Sequence, residues 1–389
     1  AWYRADGHGN RVPVGELRLG KHASELIAGL ERDLPDNEFT PALLDLMREC
    51  YPPEQTFGRA LHHLGNRILG PMGLVILDAE DPELKRACRP FWEQIAESAD
   101  ERLKRIMQRS RELEEAGYKV QAPVAPGRPA LFLLEEGIRR KVVLGGHGKR
   151  AQSDIVLSQK ALAKLAAEEP ERLSPGVTLR PLYESALLPT GAYIAGPHEM
   201  AYWAQLSTAF DLLDLPRPAV LHRAGFTLVE KKVKRWLKKL GVEADSFLGD
   251  TQALGREILH NLDDVGIRET AQRARAYCGQ AENELMKLAA ESFNHLEGAV
   301  ETAFAKVRYQ VDKLEANFIQ ALKRKHSDMV EAFECVGTHL RPGGKLQERI
   351  ISPHYYFARY GKDILEPLMN RCGEAIGQHG LLEMEELLE

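Results

Sequence analysis

Thr190-Gly191-Ala192-Tyr193-Ile194-Ala195-Gly196-Pro197-His198-Glu199-Met200-Ala201-Tyr202-Trp203 reads as a short apolar strand that passes through a Gly-Pro turn into a helix. The helix is expected to run to about Leu213, and a second strand, Ala219-Val220-Leu221-His222, follows. Upstream, Val177-Thr178-Leu179-Arg180 reads as a further strand. Downstream, Val229, Val233, Trp236, Leu237 and Leu240 fall on one helical face closed by Gly241. Strand–helix alternation of this kind marks an α/β core built on a parallel sheet, in the Rossmann-like manner.

Outward from this unit, the chain opens with a hairpin pattern: Trp2 to Ala5, a Gly-rich turn at Asp6 to Asn10, and Arg11 to Val14. A start in mid-pattern without Met is expected of the C-terminal part of a longer product. Residues 16–70 read as helices broken at Pro35-Asp36 and Pro52-Pro53. Gly73-Leu74-Val75-Ile76-Leu77 has the look of a buried parallel strand, and Asp81 caps a helix with Pro82 at its first position, continuing to about Gly117. A hairpin is expected about Glu135-Glu136-Gly137. Between 254 and 336 the pattern changes to apolar steps of three and four: Ala271, Ala274, Cys278, Ala281, Leu285 and Leu288, then Val300, Phe304, Val307, Val311, Leu314, Phe318 and Ala321. That period makes a coiled-coil seam, broken at Phe293-Asn294, where Asn294 would cap the returning helix with help from Glu297. A stutter is expected near Leu322 to Met329. The expected organisation is 1–117 for a first, incomplete part of the core with a helical insertion, 118–172 for a connecting insertion, and 173–243 for the second part of the core; 244–336 forms an antiparallel coiled coil and 337–389 a segment packing back on the core.

The 389 residues are 44% hydrophobic and 28% charged, enough for a buried core. A net charge of −5, from 52 basic and 57 acidic residues, supplies no field for nucleic acid, and no apolar run approaches a membrane span. Cys50, Cys88, Cys278, Cys335 and Cys372 are odd in number and without a Cys-x-x-Cys pair, which argues against a disulfide framework and a thiolate zinc site. A cytoplasmic location is the default expectation.

The open amides of a helix that starts at Gly196-Pro197-His198 suit a carboxylate or phosphate, with Glu199, Tyr202 and Trp203 at the same mouth; the plainer reading is a strand–helix connection with buried aromatics. Tyr202 stands where a zinc-protease motif needs a second His, so no metal is assigned. Asp78, Arg180 and His222 each fall at a predicted strand end, where parallel sheets bind ligands, although singly each reads as a solvated end. Gly145-Gly146-His147-Gly148-Lys149-Arg150 lacks the first Gly and the hydroxyl residue of a phosphate loop and reads as a turn. His62-His63 point in different directions on a helix. Lys231, Lys232, Lys234, Arg235, Lys238 and Lys239 give one helix a basic, solvated exterior, the single feature from which an RNA-binding role could be argued. Arg349 can clamp a carboxylate or dock the C-terminal tail through an ion pair.

Leu173-Ser174-Pro175-Gly176-Val177-Thr178-Leu179-Arg180-Pro181, Leu188-Pro189-Thr190 and Ala195-Gly196-Pro197-His198-Glu199-Met200-Ala201-Tyr202-Trp203 together resemble the cysteine-adding enzymes of bacillithiol biosynthesis. So do Gly73 to Glu83, Leu296-Glu297-Gly298-Ala299-Val300 and Gly343-Gly344-Lys345-Leu346-Gln347-Glu348-Arg349, in the same order along nearly the whole chain. The resemblance implies a Rossmann-like core, a coiled coil through which subunits pair as a homodimer, and a ligase that joins the carboxyl group of L-cysteine to the amine of glucosaminyl malate. Amide formation from a free carboxylate needs activation, so ATP, leaving as ADP or another nucleotide, is the expected co-substrate; no further cofactor is implied. The family's Gly-Gly-Pro-Gly-Glu reads here as Ala195-Gly196-Pro197-His198-Glu199, and the N-terminal portion of the family, with a His- and Gly-containing loop, has no counterpart in these residues. On this reading Gly196, Pro197 and His198 hold an anionic group, Glu199 meets sugar hydroxyls or the amine, and Arg180 neutralises the malate. The rival readings are another amino-acid-activating or nucleotidyl-transfer enzyme and a non-catalytic coiled-coil scaffold.

Overall fold

The computed structural model describes residues 3–5, 11–135, 137–145, 154–373 and 375–388, in two compact units. One comprises residues 1–225 and 353–378, the other 226–352 and 379–389. The first opens with the expected hairpin, β1 (Tyr3–Ala5) antiparallel to β2 (Arg11–Pro13); its turn lies outside the described residues. Three helices follow, α1 (Lys21–Asp33), α2 (Thr40–Cys50) and α3 (Phe57–Leu69), separated where the prolines place breaks. Asn37 accepts from the amides of Phe39 and Thr40 at 3.0 Å, holding the entry to α2. Its own amide donates to Ala358 O at 2.8 Å, which ties α2 to a late helix.

Gly73–Leu77 is not a strand. It is unpaired, with Leu74, Val75 and Leu77 50%, 78% and 45% exposed. The physical reason is that an apolar run needs a strand partner, and among the described residues it has none. Asp81 does cap α4 (Pro82–Ala87), accepting from Glu83 N at 2.7 Å and Leu84 N at 3.4 Å. The single long helix expected from there is three: α4, α5 (Arg89–Glu97) and α6 (Ala99–Glu115). Pro90 restarts the second one turn early, and Ser98 sits between the others.

A four-stranded sheet is built from β3 (Leu131–Glu135), β4 (Ile138–Leu144), β5 (Ile155–Leu157) and, after α7 (Gln159–Glu168), β6 (Leu173–Pro175), in the order β5-β4-β3-β6. The β3–β4 hairpin is as expected, β6 is antiparallel to β3, and β5 is parallel to β4. The strand expected at 177–180 lies earlier, because Leu173 to Pro175 is the stretch that pairs with Leu131 to Leu133; Arg180 instead opens α8 (Arg180–Leu187) with Pro181 behind it. The strand–helix–strand unit is present: β7 (Ala192–Ala195), α9 (Pro197–Leu212) and β8 (Ala219–His222), the strands parallel from Ala192↔Ala219 to Ala195↔His222. Trp92, Ile95, Ile106, Leu131, Leu162, Leu182 and Phe210 form the core that joins the sheets and helices of this unit. The phosphate-loop-like stretch 146–150 lies outside the described residues.

The second unit begins with β9 (Gly225–Val229), so Val229 precedes rather than joins α10 (Lys231–Leu240), which ends on left-handed Gly241. The helices α11 (Thr251–Asn261), α12 (Ile267–Ser292), α13 (Glu297–Lys325) and α14 (Ser327–Leu340) follow. The chain then re-enters the first unit as α15 (Pro353–Tyr360) and α16 (Leu365–Cys372), and returns as β10 (His379–Glu383), beside β9, and α17 (Met384–Leu388). Three of the six basic residues of α10 are ion-paired: Lys231 with Glu385 at 3.0 Å, Lys239 with Asp328 at 2.9 Å, and Lys234 with Glu383.

α12 and α13 form the antiparallel hairpin, closed by Arg275 with Asp312 and Glu315 and by Arg308 with Glu282. Asn294 caps nothing; it opens a single tight turn before α13. The helix breaks at His326, where the stutter was expected. The inner stripe follows the expected one at Ala271, Ala274, Cys278, Val300, Phe304 and Val311 and departs from it elsewhere. Ala271, Met286 and Ala289 on α12 and Phe304, Val311, Ile319 and Leu322 on α13 are wholly or partly buried, whereas Leu285, Leu288, Val307, Leu314 and Phe318 are exposed.

Gln347 explains one of the motifs read above. Buried, it accepts from Leu228 N at 2.8 Å and donates to Leu228 O at 3.0 Å and His339 O at 2.9 Å, so it stands in for a strand neighbour of β9. Gln347→Leu leaves buried donors and acceptors unmatched and is expected to cost about 2–4 kcal/mol, read as a lowered urea midpoint with unchanged slope; a loss below about 1 kcal/mol would contradict this role.

Candidate functional site

Parallel pairing sets Ala195 beside His222, so both strands of the β7–β8 pair end at one place and their following residues, Gly196 and Arg223, continue from a common edge. Arg223 N donates to Ala195 O at 2.8 Å, carrying the register one step further. A Cβ added to Gly196 would stand 3.6 Å from the Arg223 guanidinium carbon, an ordinary contact distance, which places that cation beside the start of α9.

At that start the Gly196 amide donates to Glu199 Oε2 at 2.9 Å, and the other carboxylate oxygen accepts from the Tyr202 hydroxyl at 3.4 Å. Pro197 carries no N–H. The amides of His198 and Glu199 therefore remain as the helix's donors without intrahelical partners. The His198 ring is exposed and meets Gln121 Oε1 at 3.3 Å.

Arg180 enters from α8. It acts electrostatically on Glu184, four residues along its own helix, and on Tyr202. Burial raises the Glu184 carboxyl above its ordinary range; Arg180 opposes this and the Glu199 carboxylate adds to it. The Tyr202 hydroxyl is also pushed up, first by burial and then by Tyr193 and Glu199. The constellation is thus two carboxylates, two phenols and two guanidinium groups at the carboxyl ends of two parallel strands, the edge where this architecture holds ligands. His222 joins it at the strand end, its Nδ1 buried and without a hydrogen-bond partner among the described residues.

Of the sequence candidates, Arg180, Gly196, Pro197, His198, Glu199, Tyr202 and His222 come together here. Trp203 is buried behind these groups, its ring 4.6 Å from that of Tyr193 and stacked 5.3 Å from Phe210, and it lines a cleft of about 260 Å³ with Met200, Arg217 and Val220. Asp78 lies on the exposed turn before α4 and accepts from Glu80 N at 3.0 Å. Arg349 belongs to the second unit, 3.7 Å from Glu348. Glu184 and Arg223 were missed. The four-residue spacing from Arg180 would have revealed Glu184 had 180 been read as helical, and Arg223 directly follows His222.

Because its folded-state pKa is raised, Glu184 holds its proton more tightly when folded than when unfolded. As pH rises through the carboxylate range the unfolded state releases that proton first, so stability falls. Glu184→Gln is therefore expected to raise the melting temperature at pH 7 and to give no gain once the pH is well below about 4.5, the ordinary glutamate value. A gain that persists unchanged in acid would refute this.

A Rossmann-like α/β unit with the parallel β7–β8 pair and α9, accompanied by a second unit with a helical hairpin arm, defines the class of protein. Residues 1–224 match the family described as bacillithiol biosynthesis BshC, N-terminal Rossmann-like domain, and residues 226–384 the BshC C-terminal coiled-coil domain. The chain belongs to the BshC family of bacillithiol biosynthesis. A protein of Koribacter versatilis is 30% identical over 372 residues, covering 95% of this chain and 69% of its own length. One of Salinibacter ruber is 30% identical (92% of this chain, 66% of its own), and one of Geobacillus kaustophilus is 31% identical (93% and 68%). Each is named "Putative cysteine ligase BshC". The chain spans about two thirds of the length of these relatives. Among the described residues, no helix is long and apolar enough to cross a membrane.

Proposed function

We propose that this protein acts in the last step of bacillithiol synthesis, forming the amide between the carboxyl group of L-cysteine and the amine of glucosaminyl malate. The observation that carries this is the meeting of Arg180, Glu184, Glu199, Tyr202, His222 and Arg223 about the start of α9, in a chain whose relatives bear a cysteine-ligase name. Arg180 neutralises the malate carboxylate. The amides of His198 and Glu199, with Arg223 beside Gly196, suit a second anionic group, either the cysteine carboxylate or a phosphate. ATP would supply the activation that lets the carboxyl oxygen leave. Glu199 is held by Gly196 and Tyr202, which fixes a carboxylate toward the amine or sugar hydroxyls.

Leu285, Leu288, Leu314 and Phe318, exposed on the hairpin, would be covered when two copies pair through it as a homodimer. The protein would work in the cytoplasm. The test is incubation of the chain with L-cysteine, glucosaminyl malate and ATP, alone and together with the part of the Koribacter versatilis relative that it does not match. Mass spectrometry should find the cysteine amide in at least one arm. Absence of product in both, from folded protein and with the full-length relative active in parallel, would overturn the reading. Another amino acid consumed in preference to cysteine would point instead to a different amino-acid-activating enzyme.

A further inference from the structure

The second unit has a body and an arm. In the body, α10, α11 and α14 share one core with Val233, Leu237, Leu254, Ile258 and Val336, and among the described residues neither α12 nor α13 contributes to it. Those two helices pack on each other. The chain passes between body and arm twice, from α11 to α12 through Leu262 to Gly266 and from α13 to α14 at His326. A helix running unbroken through either point would hold the arm rigidly, and both points are interrupted. Gly266 is left-handed at φ 70°, and His326, at φ −113° and ψ 40°, lies off the helical path.

The two interruptions lie side by side. Lys325, the last residue of α13, donates to both oxygens of Asp264 in the α11–α12 turn, at 2.9 and 3.2 Å. That hydrogen bond and its charge hold the Asp264 carboxyl below its ordinary range, and His326 adds to the effect. The two side chains are 56% and 62% exposed, so the pair is a weak tie that salt screens. The neighbouring Asp263 spends one carboxylate oxygen on the amides of Ile267 at 2.7 Å and Arg268 at 3.4 Å, which starts α12. Its other oxygen and the His326 Nε2 are buried without hydrogen-bond partners among the described residues. Unmatched buried polar atoms oppose this arrangement, and a movement that admits water relieves both.

We infer that residues 262–266 and 325–327 form a hinge on which the α12–α13 arm tilts against the body of the second unit, with the Asp264–Lys325 ion pair as its latch. A few residues at element ends that absorb the backbone change are the usual form of such a hinge. The 26 residues of α12 span about 39 Å, so a tilt of about 15° carries the tip of the arm roughly 10 Å. Leu285, Leu288, Leu314 and Phe318 move with it while the core of the body stays intact. This motion lies within one unit and does not depend on the ligase reading.

Spin labels carried by a genetically encoded keto residue in place of Lys238 on α10 and Glu291 near the end of α12, both exposed, report the distance between body and arm by pulsed double electron resonance. The full chain is frozen in an excess of unlabelled chain, so that only distances within one copy are read. A second pair of labels, replacing Arg273 and Glu291 within α12, is the control. At about 20 mM salt one narrow distribution is expected from body to arm, and at about 500 mM it should widen about twofold or more. Lys325→Gln should widen it to the same extent at low salt and leave salt without further effect. Asp264→Lys alone should do likewise, and the reversed pair, Asp264→Lys with Lys325→Glu, should restore the narrow distribution. A distribution that stays narrow in high salt and in Lys325→Gln overturns the hinge. One already broad in the unaltered chain at low salt, or not restored by the reversed pair, overturns the latch and with it the inference. Widening of the control pair overturns it too, since the arm would then fray along its length instead of turning at its foot.

Discussion

Arg102→Ala is expected to destabilise the first unit by about 3–5 kcal/mol. The side chain is 1% exposed and has no carboxylate partner among its hydrogen bonds; its guanidinium is distributed over backbone. One nitrogen donates to Ile95 O at 2.8 Å and Ser98 Oγ at 3.4 Å, the other to Pro129 O at 3.3 Å. Ile95 is in the last turn of α5, where carbonyls lack helical donors and the dipole favours a cation. The arginine thereby joins the end of α5, the start of α6 and the approach to β3. Burial lowers its pKa to about 10, which leaves it charged at neutral pH. Each hydrogen bond from a charged group is worth about 1.5–3 kcal/mol, and alanine would add a cavity and three unmatched acceptors. Arg102→Lys keeps the charge but not the fork and should lose about half as much. Urea denaturation measures both; a loss below about 1 kcal/mol for the alanine variant would show that water replaces the guanidinium without penalty.

Nothing local announces this residue, since an arginine in a charged helix reads as solvated. The features legible in the sequence were those with local causes: the proline breaks before α2 and α3, the Asp81 cap, the hairpin at Gly137, and the β7–α9–β8 unit. The failures were of another kind. Gly73–Leu77 has strand composition, but a strand is defined by its neighbour. Val177 to Arg180 lost to Leu173–Pro175 because β3, some forty residues earlier, pairs with the latter. Pro181 was the available sign that a helix starts at Arg180. On the hairpin arm the expected stripe faces inward at Ala271 to Cys278 and at Val300, Phe304 and Val311. Towards the ends of both helices the adjacent residues Met286, Ala289, Ile319 and Leu322 take its place, and periodicity cannot say where that change falls. The site followed the same division. Gly196 to Tyr202 is contiguous and could be read directly, while Arg223 and Glu184 enter through strand register and a helical spacing that the strand assignment concealed.

Arg180→Ala is expected to raise the KM for glucosaminyl malate about 100-fold, with a much smaller change in kcat. Arg180 is exposed at the first position of α8, so it adds little to folding and its removal should leave the melting curve nearly unchanged. Its electrostatic partners are Glu184 and Tyr202, and the Glu199 carboxylate acts on both of these groups as well. A malate carboxylate arriving here needs that cation, because the two glutamates would otherwise repel it. A charge-assisted, two-pronged contact of this kind is worth about 2–3 kcal/mol, which is the factor stated. Arg180→Lys retains a point charge and should recover part of the affinity, and Glu184→Gln should lower the KM by removing a competing anion. An effect confined to kcat would place Arg180 at the reacting carboxyl group instead. A KM for glucosaminyl malate unchanged in Arg180→Ala would remove the residue from substrate recognition altogether. The α9 amides and Arg223 would then be left as the anion site.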